Sequence, residues 1–143
     1  MRSGIAITLK YQHEHIEDSV LVFSAEECSV LLLVSADEDV KSFVKLDFDG
    51  AICARSARTD CSPAIDIYPK EGGVSFIVEL TDSSWPIDAH KAYVYAGSSL
   101  KPRGRHFVVS NHDVFHEILA DSFTETLVEK GDAGYKEICS HFA

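Results

Sequence analysis

The histidines of this chain are the residues with the clearest potential for metal chemistry. His112 and His116 are four positions apart, so they would share one face of the segment if it were helical. His106 could join them from a neighbouring strand, and Asp113 could supply an oxygen ligand. Such a group would suit a small metal-dependent hydrolase, which is one alternative function for this chain.

A second pair of histidines lies near the N-terminus. His13 and His15 are alternate residues, so they would lie on one face of a strand. A metal site needs three or four converging ligands, whereas the sequence shows only pairs. The simpler interpretation is that these are exposed polar side chains beside turns. We therefore predict neither a bound metal nor another cofactor.

Sequence motifs of familiar enzyme mechanisms are missing. The chain has no P-loop, GxGxxG, HExxH, GxSxG or CxxC pattern. Cys61 lies near Arg58, whose charge could favour the thiolate, but no partner histidine is identified. Asp47 and Asp49 are explained equally well as solvated acids at a strand edge. We therefore predict no enzymatic activity.

The charge balance favours a protein partner over nucleic acid. Thirteen Lys and Arg against 23 Asp and Glu give a net charge of −10, which repels phosphate backbones. The same field would steer the chain toward a basic protein, although solubility alone also explains it. Two acidic clusters are the candidate contacts with such a partner, and their members are Glu14, Glu17, Asp18, Asp37, Glu38 and Asp39.

Two other groups could contact a ligand. The densest basic patch could hold an anion, but a solvated loop is the simpler interpretation of Arg103, Arg105 and His106. The second group is aromatic, and its members could anchor a partner. We expect these side chains to lie in the core beneath a loop instead; they are Trp85, Tyr93 and Tyr95.

Length and composition predict one domain spanning residues 1–143. A chain of 143 residues that is 45% hydrophobic can bury one core, so its four cysteines are not needed as disulfides. The longest apolar run, residues 30–34, is far too short to span a membrane. The N-terminal apolar stretch is too short for a signal peptide. We expect a cytoplasmic protein with reduced thiols and no membrane association.

Alternating and apolar runs predict antiparallel strands. Residues 5–11 and 74–80 alternate apolar and polar side chains, as strands with one buried face do. Residues 20–23 and 30–34 are short apolar runs joined by a tight turn, and the uniformly apolar second run indicates a central strand. Residues 105–110 form a further strand. Long crossover helices between the early strands are missing, which argues against a doubly wound sheet.

Two segments leave alternatives open. The Asp49-Gly50 pair indicates either a hairpin turn or a bulge in one long curved strand. Residues 114–120 fit a strand paired with residues 107–109, but their apolar spacing also fits a capped helix. The sequence does not choose between these alternatives.

Two other segments are assigned on their local chemistry. Residues 81–91 are interpreted as a loop because Pro86 cannot donate a backbone hydrogen bond. Near the C-terminus, one face of a short helix is predicted by Tyr135, Ile138, Cys139 and Phe142. The predicted class is α+β, a mainly antiparallel β-sheet of about seven or eight strands with a short C-terminal helix.

Several short motifs between residues 43 and 123 resemble those of small uncharacterised bacterial proteins. They are Phe48-Asp49-Gly50, Ser83-Ser84-Trp85, Arg105-His106-Phe107, Asn111-His112-Asp113 and Ala120-Asp121-Ser122-Phe123. Some of these bacterial proteins are similar to immunity proteins carried beside polymorphic toxins. The resemblance implies a strand at residues 114–120 and a structural role for Trp85 and His106. It brings no catalytic motif.

These observations favour a non-enzymatic, acidic protein-binding module. Such a module could be an immunity-type inhibitor that covers the basic surface of a toxin, because complementary charge speeds encounter and adds specificity. The first alternative is the metal-dependent hydrolase built on the histidine cluster. The second is a structural subunit of an assembly, recruited by strand addition at a free sheet edge or by self-association into a homo-oligomer.

Overall fold

Two antiparallel β-sheets packed face to face form the framework of the protein. The computed structural model describes residues 2–14, 18–35, 37–58 and 65–142. The predicted α+β, mainly antiparallel class is confirmed, and these residues contain nine strands where about seven or eight were expected. Neither of the two helices in this part of the chain is long and apolar enough to cross a membrane.

The first sheet has five strands in the order β1-β6-β7-β8-β5, and all neighbouring strands are antiparallel. Its strand order does not follow the chain, because β5 pairs with β8 rather than with β6. The strands are β1 (Gly4–Thr8), β5 (Cys53–Arg58), β6 (Phe76–Leu80), β7 (Arg105–Ser110) and β8 (Val114–Ala120).

The second sheet has four strands in the order β2-β3-β4-β9. They are β2 (Ser19–Phe23), β3 (Cys28–Leu33), β4 (Phe43–Asp49) and β9 (Ser122–Val128). Every residue of β3 is buried, and the strand lies between β2 and β4. The prediction of a central strand here, joined to its predecessor by a tight turn, is confirmed.

The main core lies between the two sheets. Val30, Leu32 and Leu46 of the second sheet face Phe107 and Ile118 of the first, and all five are fully buried. Period-two alternation explains this layer, because every second side chain of each strand points to the same side. Burying such a side chain stabilises the fold by roughly 1.5–3 kcal/mol.

Aromatic rings join the two sheets within this core. The ring centroids of Phe48 in β4 and Phe107 in β7 are 5.5 Å apart, and Phe123 of β9 lies 5.5 Å from Phe107. Strand β9 was not predicted. Its signal was the alternation of Phe123, Glu125 and Leu127 with Thr124 and Thr126.

The connection after Asp49 is neither of the two arrangements that the sequence allowed. Strand β4 ends in the second sheet and β5 begins in the first, so the hairpin prediction is wrong. The curved-strand alternative is closer. Strand β4 pairs with β9 and strand β5 pairs with β8, and β8 and β9 follow each other directly along the chain, separated by Asp121. However, residues 50–52 belong to no strand, and the chain passes from one sheet to the other there.

Strand β8 settles the ambiguity at residues 114–120. It pairs with β7 over six positions, from Arg105 opposite Ala120 to Ser110 opposite Phe115. The helical alternative is therefore wrong, and the strand pairing implied by the bacterial resemblance is what the structure has. Long-range pairing with β5 on the other side of β8 outweighs the apolar spacing that fitted a helix.

Helix α1 (Trp85–Tyr93) occupies a segment that was predicted to be a loop, and that prediction is wrong. Pro86 lies in the first turn, where an amide hydrogen would have no intrahelical partner, so proline costs little there. The helix covers the outer face of the first sheet through buried Ala89 and through Trp85, whose ring lies 4.7 Å from that of His106.

Helix α2 (Tyr135–His141) confirms the predicted C-terminal helix. It covers the outer face of the second sheet, where Ile138 packs in a cluster with Leu31 and Phe43. Phe43 also lies 5.9 Å from the ring of Tyr135 and 5.1 Å from that of Phe142. The four layers are therefore helix α1, the first sheet, the second sheet and helix α2.

We predict that Gly50→Ala destabilises the protein more than Gly73→Ala does. Both glycines have positive φ, +65° and +76°, so both substitutions carry a backbone cost of about 1–2 kcal/mol. A Cβ at Gly50 would also overlap the Asp121 carboxylate, whereas one at Gly73 would meet nothing within 4 Å. Urea unfolding measures the difference. Equal losses of stability in the two variants would contradict the close approach of Gly50 to Asp121.

Candidate functional site

The two acidic segments of the sequence meet at one end of the second sheet. The amide of Glu14 donates to the carbonyl of Leu33, the last residue of β3, at 2.8 Å. Asp18 directly precedes Ser19, which pairs with Leu32 of the same strand. Residues 34–42 then connect β3 to β4 and carry the other acids, so both clusters flank the end of β3.

Most of these acids are open to solvent. Asp18, Asp37, Glu38 and Asp39 are exposed, and Glu14 is half-buried. The salt bridges among the described residues involve none of the four exposed acids. The sixth predicted contact, Glu17, lies outside the described residues. We name this surface, formed by Glu14, Asp18, Asp37, Glu38 and Asp39, the acidic end.

The histidine cluster on which the hydrolase alternative depends is not brought together. His106 and His116 lie on opposite faces of the first sheet. His116 shares a face with Val109, its partner on β7, and Val109 is three positions from His106, an odd spacing that reverses the face. His112 is exposed and pairs with Asp113 at 2.9 Å. Within the described ranges, no three His, Cys, Asp or Glu side chains are placed to hold a metal ion.

Two other candidate groups each have one member outside the described residues. These members are His15, which was paired with His13, and Cys61, which was placed near Arg58. The described cysteines are free thiols, and burial raises the pKa of Cys28 to about 11. A thiol with so high a pKa is unreactive at neutral pH.

His106 organises a buried polar cluster on the outer face of the first sheet. Its Nδ1 lies 2.6 Å from the Ser83 hydroxyl, and its Nε2 lies 2.7 Å from a carboxylate oxygen of Glu117. Arg55 on β5 donates to both oxygens of Glu117, at 2.7 and 3.3 Å, and its guanidinium stacks 4.2 Å from the ring of Trp85. We name Ser83, His106, Glu117, Arg55 and Trp85 the Ser83 cluster.

The electrostatics of the Ser83 cluster keep Glu117 ionised. Burial by itself would raise the pKa of Glu117, but hydrogen bonds from His106 and Arg55 outweigh it and hold that pKa at about 2. A carboxylate with donors on both oxygens is a stable anchor for the histidine. The bacterial resemblance singled out Ser83, Trp85 and His106, but nothing in the sequence indicated that they meet Arg55 and Glu117, which lie on other strands.

The basic patch predicted around residue 105 is dispersed by strand alternation. Arg103 pairs with Asp121 at 2.9 Å and Arg105 pairs with Glu79 at 2.7 Å, while His106 points to the other face and is buried. Two of the three basic groups are therefore neutralised by local carboxylates, in keeping with a solvated surface rather than an anion site.

His116 forms a second buried polar group, between the two sheets. Its Nε2 lies 2.8 Å from the hydroxyl of Ser19 on β2, and its Nδ1 lies 2.5 Å from that of Ser56 on β5. Burial lowers the pKa of His116, against smaller opposing effects of a hydrogen bond with Ser19 and of the charge on Asp18. The neutral imidazole thus bridges the sheets.

The aromatic residues near helix α1 divide into two kinds. Trp85 is half-buried in the Ser83 cluster, but Tyr93 and Tyr95 are 71% and 78% exposed. The prediction that they lie in the core is therefore wrong for the two tyrosines. Tyr93 is the last residue of helix α1 and Tyr95 lies in the loop that follows it. The helix packs onto the sheet through Trp85 and Ala89, so the two tyrosines point to solvent.

Comparison with protein-family models, with curated proteins and with solved structures yields no match. The resemblance to immunity-type bacterial proteins therefore stays a prediction. The class that the structure itself defines is an α+β protein of two face-to-face antiparallel sheets.

We predict that His116 makes stability fall as the pH drops below about 6.5. Its pKa in the folded protein is lower than in the unfolded chain, so the unfolded state binds more protons in this range. The stability that the neutral imidazole contributes is present above the unfolded value and is lost as the pH falls through the folded value. Urea unfolding at pH 7.5 and 5.5 measures this change.

The matched variants are His116→Asn and His112→Asn, since the His112 side chain is 68% exposed whereas His116 is buried. The first should be less stable at pH 7.5 but should lose less stability between the two pH values. The second removes an exposed histidine and should change the stability at pH 7.5 less than His116→Asn does. An unchanged pH dependence in His116→Asn would show that another group is responsible.

Proposed function

We propose that this chain is a protein-binding module that meets a basic partner protein with its acidic end. The observation that carries this proposal is the convergence of two acidic segments, separated by some twenty residues in sequence, at one end of β3. In the more specific form of the proposal, the module is an immunity-type inhibitor and its partner is a toxin with a basic surface.

The distribution of cations supports the proposal. Four of the five arginines are paired with carboxylates on other surfaces: Arg2 with Asp82, Arg55 with Glu117, Arg103 with Asp121 and Arg105 with Glu79. Among the residues that the structure describes, no salt bridge involves the four exposed acids of the acidic end. The negative field of a chain with net charge −10 is therefore strengthened at this end.

Such a field suits a protein partner because it raises the rate of encounter and disfavours wrong partners. A phosphate backbone would be repelled by the same charges, so nucleic acid does not fit this surface. The field is screened over about 8–10 Å at physiological ionic strength. Binding through the acidic end should therefore weaken strongly as salt is added.

The test compares two charge reversals of equal size. Asp39→Lys lies in the acidic end, and Glu26→Lys lies in the β2–β3 turn at the opposite end of the same sheet. Each gives 14 Lys and Arg against 22 Asp and Glu, so both change the net charge from 13 − 23 = −10 to 14 − 22 = −8. Any difference between them reports position rather than total charge.

We predict that the immobilised wild-type protein retains a basic protein from the lysate of its own organism at about 0.1 M salt and releases it at about 0.5 M. Asp39→Lys should weaken the Kd for the recovered partner about fivefold, equivalent to about 1 kcal/mol, and Glu26→Lys should change it less than twofold. Equal weakening by both variants, or retention that is insensitive to salt, would overturn the role of the acidic end.

A further inference from the structure

We propose that Ser83 is an activated nucleophile and that Ser83, His106 and Glu117 form a hydrolytic site for short-chain carboxylic esters. This inference is independent of the proposed partner binding, because the Ser83 cluster lies on the outer face of the first sheet and uses no residue of the acidic end. It rests on the hydrogen-bond chain that runs from the serine through the histidine to the carboxylate.

The ionised state of Glu117 determines which atoms carry the protons in the hydrogen bonds from Ser83 through neutral His106 to Glu117. Ionised Glu117 can only accept, so the Nε2 of His106, 2.7 Å away, must carry the proton of the neutral imidazole. The Nδ1 then has a lone pair and accepts from the Ser83 hydroxyl at 2.6 Å. This is the arrangement that a nucleophilic serine needs: a base on its oxygen and a third group that orients the base.

The surroundings hold this geometry in place. His106 is 3% exposed and lies against the edge of Trp85, so its orientation does not depend on solvent. The amide of Trp85 donates to the Ser83 oxygen at 3.1 Å, which fixes the serine while its hydroxyl proton stays directed at His106 Nδ1. Ser83 itself is half-buried. It is the outermost residue of the Ser83–His106–Glu117 series of hydrogen bonds, where a substrate can reach it.

Helix α1 supplies positive potential where negative charge would develop. Ser84 is its N-cap and Trp85 its first residue, so the positive end of the helix lies directly beside Ser83. An oxyanion formed by attack at Ser83 would be stabilised by this dipole. No metal ion is needed for such a step.

A small apolar groove beside helix α1 indicates the substrate class. It has a volume of about 110 Å³ and is lined by Ile52, Pro86, Ala89, Val94 and Leu100, with Lys101 and Arg103 among its other residues. Pro86, which lines the groove, lies in the first turn of helix α1, and Ser83 directly precedes the N-cap of that helix, Ser84. A groove of this size and character suits a short acyl chain better than a peptide or a sugar.

The proposed reaction is acyl transfer in two steps. Ser83 Oγ attacks the ester carbonyl and passes its proton to His106 Nδ1; the bond to the leaving alkoxide then breaks and the imidazolium protonates it, releasing the alcohol. Water attacks the acyl-enzyme, His106 takes the proton of the water and returns it to Ser83 Oγ, and the carboxylic acid is released. Glu117 positions His106 and stabilises its protonated form without becoming protonated.

The test uses a fluorophosphonate probe, which reacts covalently with activated serines, together with hydrolysis of p-nitrophenyl butyrate. We predict one adduct per chain, mapped to Ser83 by peptide mass spectrometry. Ser83→Ala should lose the adduct and at least ~100-fold of the esterase kcat/KM. Ser110→Ala, which removes an exposed hydroxyl at the far end of β7 from His106, should retain both within about threefold.

The mapping is made on the wild-type protein, so it does not depend on the folding of a variant. Absence of an adduct at Ser83, or equal ester hydrolysis by wild type and Ser83→Ala, would overturn the proposal and leave the Ser83 cluster a structural anchor for helix α1. Partner retention by Ser83→Ala should match that of wild type, so the failure of either proposal can be distinguished from the failure of the other.

Discussion

The passage of a two-stranded ribbon from one sheet to the other is the constraint on which the rest of the structure depends. Strands β4 and β9 pair in the second sheet, and their continuations β5 and β8 pair in the first. The crossing is made at Gly50, where φ is +65°, and at Asp121, whose amide donates to the carbonyl of Asp49 at 2.9 Å. Glycine suits this crossing because it adopts the positive φ without strain, and a side chain at position 50 would also displace the Asp121 carboxylate.

The crossing also determines where the buried polar groups lie. Because β5 pairs with β8, Arg55 is opposite Glu117 and Ser56 is opposite His116. Adjacent residues of one strand face opposite sides, so the Arg55–Glu117 pair lies beneath helix α1 and the Ser56–His116 pair lies between the sheets. Both histidine groups are satisfied by neighbours, as buried polar side chains must be if they are not to cost stability.

The two proposals concern different parts of this framework and different physics. The acidic end acts at long range: its exposed carboxylates attract a basic surface, and salt weakens the attraction. The proposal for the Ser83 cluster concerns contacts at hydrogen-bond distance, with His106 and Glu117 buried and Ser83 half-buried, so it depends on geometry and on which atoms carry the protons. A rigid two-sheet core supports both surfaces.

The sequence by itself determined the fold class, the central position of β3 and the C-terminal helix, because apolar periodicity is a local property that burial preserves. It also identified the two acidic segments, but only the pairing of β2 with β3 showed that they lie side by side. Helix α1 and β9 were missed. Helix α1 was missed because Pro86 was taken to exclude a helix, although proline is tolerated in the first turn, where it lies. The Ser83 cluster was decided by the tertiary structure alone, since its residues are distant in sequence and meet only through strand register.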